Sequence, residues 1–258
     1  MQLSMRKKLG QAMPSLVSDP RRLRVSLAQW KELSITHGFS TRRVKISVRD
    51  FYEEENFMPA KEFCDTLKIS LDEIVLPRQI HASHIAYIPT KIKEEMRIIP
   101  NCDGLLTRSR DIALGILSAD CLPLLFWDPV SQTIGVAHAG WRGLEKQLPY
   151  KMVETFIRFS ETRPQNLSIA IGPAIRQCCY EVGPDVAQLF PNGSEPKNGK
   201  FHLDLAAETR FQLGKIGIKP EQIADTQLCT SCRNDEFFSY RREGELSGRI
   251  LSVIRLPS

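Results

Sequence analysis

The chain has 258 residues, of which 42% are hydrophobic and 25% charged; that mix excludes global disorder and suffices for one large core or two small ones. Its net charge of +5 is only mildly basic, and the short clusters "PRRLR" and "STRRVK" are too sparse for the footprint of a nucleic-acid binder. An anionic small molecule would need only one or two well-placed arginines.

Along the chain, the N-terminal segment carries charges but no apolar stretch leading to a small-residue cleavage site, so it does not read as a signal peptide. Residues 1–30 read as a lead-in and residues 31–258 as one domain, with no repeat, low-complexity tract or composition break. "DFYEEENFMPAKEFCDTLKI" places Phe63, Cys64 and Leu67 at helical spacing, with acidic residues early. "DEIVLPRQIH" reads as a short strand ending at Gln79 to His81. "IALGIL", "LPLLFWD" and "TIGVAHAG" are strand-length runs apolar on both faces, the mark of strands covered on both sides. The longest apolar run, 16 residues from Ile112 to Trp127, is broken by Asp120 and too short to cross a bilayer. "LEKQLPYKMVETFIRFS" aligns Leu148, Met152, Phe156 and Phe159 on one helical face, with Pro149 in the first turn. "LSIAIGPAI" returns to strand, and "HLDLAAETRFQLGKIGI" is a helix capped by Asp204. The C-terminal "FFSYRREGELSGRILSVIRL" reads as a hairpin. The sum is a single α/β domain, cytoplasmic by default, whose seven cysteines are then mostly reduced thiols.

With only five histidines, each one is informative. His81 and His138 both close strand candidates, and Cys121 sits at the kink in "SADCLPLL", 40 residues after His81 and 17 before His138. Strand ends are where α/β sheets build sites. Singly, His81 reads as a half-buried histidine with a hydrogen-bond partner, and Cys121 as an inert core thiol. Together, two histidines and a cysteine make a zinc set with one position left open, the catalytic pattern. Gly140 and Gly143 around "HAGWRG" permit a close approach of the backbone. Arg142 reads equally as a clamp for phosphate or carboxylate and as half of a salt bridge. Arg42 in "HGFSTRR" carries the same two readings, and a lone Trp141 reads first as packing. Asp120 is a charge among apolar neighbours and needs partners; it reads first as a group orienting a metal-ligating histidine, and second as a proton carrier. A second cysteine group, Cys178 and Cys179 with the C-x-x-C pair Cys229 and Cys232, reads as a structural zinc site or a redox pair. Two adjacent cysteines are a poor half of a four-thiolate site.

The segments "RQIHASHI", "CDGLLTRSRDIALGILSADCLPLLFWDP", "GVAHAGWRG", "AIGPAIRQCCYEVG", "LDLAAETRFQL", "LCTSC" and "FFSYRREGELSGR" follow one another in the order of the YfiH-type laccase-domain family, which the chain resembles over residues 33 to 255. That family was first labelled multicopper polyphenol oxidase and is now described as purine nucleoside phosphorylase. The resemblance implies a layered α/β/β/α sandwich, likened to cysteine-histidine hydrolase folds. Matched position by position, it implies a metal site at His81, Cys121 and His138, holding zinc, with copper as the other metal. It implies phosphorolysis of adenosine, inosine and methylthioadenosine, together with adenosine deamination, so that the partners are purine nucleosides and phosphate rather than nucleic acid or membrane. On that reading Arg42 and Arg142 bind substrate. "RQIHAS" stands where the family more often has Q-V-H-G, which bears on substrate preference rather than on the metal.

Two rivals remain open at this stage. A Cys-His hydrolase or amidase of the peptidoglycan-editing type would use Cys121 as nucleophile and His138 as base. A copper-binding polyphenol oxidase would use the same residues as copper ligands, although a laccase with a trinuclear centre needs more histidines than this chain has. A metal-stabilised binding module is the non-catalytic reading, and the sequence leaves the oligomeric state open.

Overall fold

Long runs of β-branched and leucine residues bounded by polar turns build three antiparallel-dominated sheets in the computed structural model, which describes residues 15–54, 56–89 and 97–257. The seven-stranded sheet contains β1 (Leu16–Ser18), β2 (Arg24–Leu27), β3 (Thr36–Ser40), β4 (Ile74–Pro77), β6 (Ile98–Ile99), β8 (Ala113–Ser118) and β16 (Ile250–Arg255). The six-stranded sheet contains β5 (Ile85–Ile88), β7 (Gly104–Thr107), β9 (Leu122–Asp128), β10 (Thr133–Ala139), β11 (Ser168–Ile171) and β15 (Ile223–Asp225). Their spatial orders are β1-β2-β3-β16-β8-β4-β6 and β15-β11-β9-β10-β7-β5. A small third sheet joins β12 (Glu181–Val182), β13 (Ser194–Lys197) and β14 (Lys200–Leu203). This is a mixed α/β fold with several sheets and few helices. Among the described residues no helix is long and apolar enough to cross a membrane.

The three runs expected to be covered on both faces are so: every residue of β8, β9 and β10 is buried. The reason lies in three hydrophobic clusters. One joins strands of the two large sheets, Val25, Phe39, Leu114, Ile116 and Ile254 meeting Leu105, Leu125, Trp127, Ile134 and Val136. A second joins Leu124, Phe126 and Ile169 of the six-stranded sheet to the helices Leu148–Ser160 and Leu205–Lys215. The third joins Ile74, Leu76, Leu117 and Leu251 to the helices Val48–Tyr52 and Lys61–Leu67. Burying a leucine or phenylalanine contributes about 1.5–3 kcal/mol each, so these interfaces dominate stability.

Several local expectations change. The lead-in supplies two strands: β1 and β2 pair with each other and β2 pairs antiparallel with β3, so the sheet begins inside residues 1–30, of which 1–14 lie outside the described residues. The strand expected to run to His81 ends at Pro77. The helix Leu148–Ser160 buries Leu148, Met152 and Phe156, but Phe159 is on the outside, stacked at 5.4 Å on Tyr87. The C-terminal hairpin is instead a short helix Tyr240–Glu243 followed by the single strand β16. Ser239 accepts from the Arg242 amide and caps that helix, which takes "FSYRR" out of the extended conformation. The Asp204 cap is as expected, its carboxylate accepting from the Ala206 and Ala207 amides.

His37 in β3 shows how tightly the core specifies protonation. Its Nε2 accepts from the Leu27 amide at 2.9 Å, so Nδ1 carries the proton and donates to the Ile35 carbonyl at 3.1 Å. Burial lowers its pKa from 6.5 to about 4. Between those values the unfolded chain binds a proton that the folded one does not, so stability falls as pH drops from 6.5 towards 4 and is fully present above 6.5. Denaturant titrations from pH 4 to pH 7 should show a contribution of up to about 3 kcal/mol from this residue. In His37→Gln, where an amide oxygen can still accept from Leu27, most of that extra slope should disappear.

Candidate active site

The chain crosses from one large sheet to the other between β8 and β9, and the crossing residues are Ala119, Asp120 and Cys121. Asp120 adopts φ +90 there, the left-handed turn that lets the chain change sheets. β10 runs alongside, with His138 opposite Pro123 of β9. Cys121 and His138 are therefore neighbours at one end of the six-stranded sheet. His81 arrives from the loop after β4. Gln79 holds that loop against β8, its amide donating to the Leu117 carbonyl and accepting from the Leu117 amide. The Tyr52 hydroxyl sits 2.7 Å from the Pro77 carbonyl and 2.9 Å from Oε1 of Gln79.

The ligand atoms of His81, Cys121 and His138 all lie within 4.8 Å of one another. The two rings meet edge to face, with centroids 4.8 Å apart. Gly140 completes the cradle: a β-carbon there would lie 2.8 Å from the Cys121 sulfur, so a side chain would crowd the thiolate. A soft sulfur with two imidazoles, compact and backed by a glycine, fits a divalent transition metal such as zinc or copper. The arrangement is a candidate metal site.

Asp103, immediately before β7, is a residue that no sequence motif singled out. Its fully buried carboxylate accepts from Nδ1 of His138 at 3.0 Å and from the amides of Ile80, His81 and Ala82 at 3.1, 3.0 and 2.7 Å. Burial pushes its pKa up, but His138 and these amides outweigh that and hold it below the ordinary carboxylate value. An ionised carboxylate only accepts, so the proton on His138 stays on Nδ1 and Nε2 faces the cluster. The role expected of Asp120 thus belongs to Asp103. Asp120 ties three segments together, accepting from Thr230 Oγ1 at 2.6 Å, Ser239 Oγ at 3.1 Å and the Arg241 amide at 2.6 Å. The signal for Asp103 was present in "CDG", an acidic residue ahead of a buried strand, but its partners are up to 35 residues away.

The cluster opens into a cavity of about 620 Å³, within the usual range for small-molecule sites. Tyr52, Trp141, Tyr180 and Tyr240 line it, as do three guanidinium groups, Arg142, Arg241 and Arg249. Arg142 follows Gly140 into the short helix Trp141–Glu145 and packs over the Trp141 ring at 4.3 Å. Arg42 is engaged elsewhere: it pairs with Glu243, lies over Phe238, and bonds the Asn234 carbonyl and the Glu236 carbonyl. The described lining of the cavity does not include it; Arg42 braces the segment that carries Tyr240 and Arg241. Arg241 and Arg249 line the cavity, a placement that one linear motif could not distinguish from surface charge.

In the absence of metal, burial pushes the Cys121 thiol up, but His138 and His81 outweigh this and bring it down to about 6. Burial likewise lowers His138, while Cys121 and Asp103 outweigh it and raise it to about 9. The pair rests as thiolate and imidazolium between those values, which is the charge state a metal exchanges with a proton.

The mixed α/β fold sets a His/Cys/His cluster, a candidate metal site, at one side of a small-molecule-sized pocket. Residues 37–257 match the family described as multi-copper polyphenol oxidoreductase laccase, and the chain belongs to that family. It is 32% identical over 250 residues to the protein named adenosine deaminase RL5 from an unknown prokaryotic organism, covering 87% of this chain and 95% of that one. It is 33% identical over 202 residues to a purine nucleoside phosphorylase of Bacteroides thetaiotaomicron, covering 72% and 74%. The crystal structure of the hypothetical protein YfiH of Bacillus licheniformis superposes with a TM-score of 0.81 at 29% identity, over 90% of this chain and 96% of that one.

Two outcomes check this geometry. In metal-stripped protein, alkylation of Cys121 should rise through about pH 6, while Cys64 and Cys102, which burial pushes up to about 12, stay unreactive. Asp103→Asn should weaken metal binding about 10–100-fold, the usual cost of losing the partner of a metal-ligating histidine, as read by competition with a chromophoric chelator.

Proposed function

We propose that this protein is a zinc-dependent purine nucleoside phosphorylase acting on adenosine, inosine and methylthioadenosine, with adenosine deamination at the same pocket. The observation that carries the reading is the juxtaposition of one thiolate and two imidazoles with three guanidinium groups and four aromatic rings around one cavity. A nucleoside needs aromatic surface and a phosphate needs guanidinium forks. Relatives named for phosphorylase and deaminase activity support a nucleoside-processing enzyme. The three successive cores support the α/β/β/α layering of cysteine-histidine hydrolase-like folds.

Bound at His81, Cys121 and His138, zinc would supply Lewis acidity at the floor of the pocket. The chain's own residues do the rest. Arg142, Arg241 and Arg249 hold phosphate so that one of its oxygens faces the anomeric carbon of the ribose. The phosphate oxygen forms a bond to that carbon as the bond to the purine nitrogen breaks, and the purine leaves with the electron pair and takes up a proton. Burial, and Cys121 nearby, push the Tyr180 phenol up to about 12, so it stays a neutral donor able to hydrogen-bond the departing base. Holding the two reactants in line supplies much of the rate, because it removes their freedom of relative motion before the step. Deamination is a separate reaction at a different atom: water gives up a proton and adds to the purine carbon that bears the amino group, the bond from that carbon to the amino nitrogen breaks, and ammonia leaves with the glycosidic bond intact. The relative named adenosine deaminase favours this second activity.

The test incubates each nucleoside with and without phosphate, using wild type, Cys121→Ala and Arg249→Met. Free base and the sugar 1-phosphate (ribose 1-phosphate, or its methylthio analogue from methylthioadenosine) should appear only with phosphate, and Cys121→Ala should lose nearly all turnover. Arg249→Met should raise the KM for phosphate about 10–100-fold, the scale of one lost charged hydrogen bond. Intact nucleosides with folded, metal-loaded protein would overturn the reading. Faster turnover of an amide substrate after zinc removal would install the Cys121 hydrolase in its place.

A further inference from the structure

The four remaining cysteines of interest gather at the outer edge of the pocket wall, and the sequence alone disfavoured them as a set. The chain after β11 and the chain after β15 run side by side: Ala174 bridges Cys229 in parallel, with the Ala174 amide donating to the Leu228 carbonyl and the Thr230 amide to the Ala174 carbonyl. A turn closed by the Cys179 and Tyr180 amides on the Arg176 carbonyl then brings Cys178 and Cys179 over the C-x-x-C loop. The adjacent cysteines project their sulfurs to a common point with Cys229 and Cys232, and all four sulfurs lie within 4.8 Å of one another. The turn geometry supplies what sequence spacing lacked.

We propose that Cys178, Cys179, Cys229 and Cys232 bind a second, structural zinc ion, separate from the His81, Cys121 and His138 site. Zinc–thiolate bonds of about 2.3 Å in a tetrahedron put the sulfurs about 3.8 Å apart. Cys232 lies 3.6 Å from Cys178 and 3.3 Å from Cys179. A disulfide would use one of those partners, whereas a metal uses both, and all four cysteines are free thiols. Four thiolates close the coordination shell and leave no position for substrate, so the ion is structural.

Its effect on the pocket follows from what the two loops carry. Thr230, inside the C-x-x-C loop, donates to Asp120. Arg242 donates to the Thr230 and Ser231 carbonyls at 2.9 and 2.8 Å. Tyr180, next to Cys179, lies under the Arg241 guanidinium at 5.3 Å. The zinc therefore staples together the two loops that set the outer wall, without touching substrate.

Metal analysis of full-length Cys121→Ala, purified under reducing conditions without chelator, separates this proposal from the phosphorylase reading. One zinc per chain should remain, and cobalt substitution in the same variant should give the intense thiolate-to-metal charge-transfer absorption of a tetrathiolate centre. Adding Cys229→Ser and Cys232→Ser should remove the ion and lower the thermal midpoint to that of chelator-treated Cys121→Ala. A metal-free Cys121→Ala, or a disulfide joining Cys232 to Cys178 or Cys179 in peptides from protein handled anaerobically, would overturn the proposal, whatever the nucleoside assays show.

Discussion

One buried carboxylate organises the site. Asp103 has no exposure to solvent and accepts from four donors: the His138 ring and three consecutive amides of the loop that carries His81. An ionised carboxylate inside a protein is tolerable only when its lone pairs are taken by donors. Here the donors belong to the segments of two candidate metal ligands, His81 and His138, so satisfying the charge also brings those side chains together. His81 holds φ +56 in that loop, a conformation costly for a non-glycine residue, and its amide bond to Asp103 is part of what maintains it. Local backbone strain and metal geometry are thus solved by one group.

The topology explains why the carboxylate can reach both segments. β7 pairs with β10 on one side and with β5 on the other, so its first residues stand between His138 at the end of β10 and the loop entering β5. The crossing of the chain from β8 to β9 places Cys121 on the third side. His81 comes from the loop after β4, Cys121 from the β8–β9 connection and His138 from the end of β10 itself, an interior strand of the six-stranded sheet. A rigid cluster of this kind suits a metal whose coordination must leave one side open.

Much of this was legible in the sequence, and the remainder was not for identifiable reasons. Strand-length apolar runs gave β8, β9 and β10, because a strand buried on both faces leaves a strong local signal. The caps and amphipathic faces of the longer helices were legible for the same reason. "SADC" and "HAGWRG" drew attention to Cys121 and His138, since a polar group at the end of a buried run needs a partner. Asp103 and Arg241 were not legible because their partners are distant in sequence, the His138 ring and the amides of Ile80, His81 and Ala82 for the first and the Glu181 carbonyl for the second. Arg249 bonds the nearby Ser247 and Gly248 carbonyls, and only folding brings it to the pocket. The short helix Tyr240–Glu243 was hidden by the β-prone "FFSY" ahead of it, where one serine cap decides the conformation. Arg42 looked like a loop anion-binder, yet it faces Glu243 and Phe238, a pairing set by tertiary contact alone.

Two imidazoles and a thiolate are also the equatorial set of electron-transfer copper sites, which complete their coordination with a weak axial thioether or similar group. The described lining of the pocket contains no methionine, and the cluster opens towards arginines and aromatic rings. An electron-transfer centre gains from exclusion of solvent and a fixed axial ligand, whereas a site that binds substrate gains from an open side and groups that hold anions. Histidine supply points the same way: His37 is held by the Leu27 amide and the Ile35 carbonyl, and His202 by the Gln177 carbonyl. Three of the five histidines, His84 being the third, are outside the cluster, which leaves His81 and His138 as its histidine donors. A laccase would draw on more histidines than this cluster brings together, and the cluster opens on the side lined by arginines and aromatic rings.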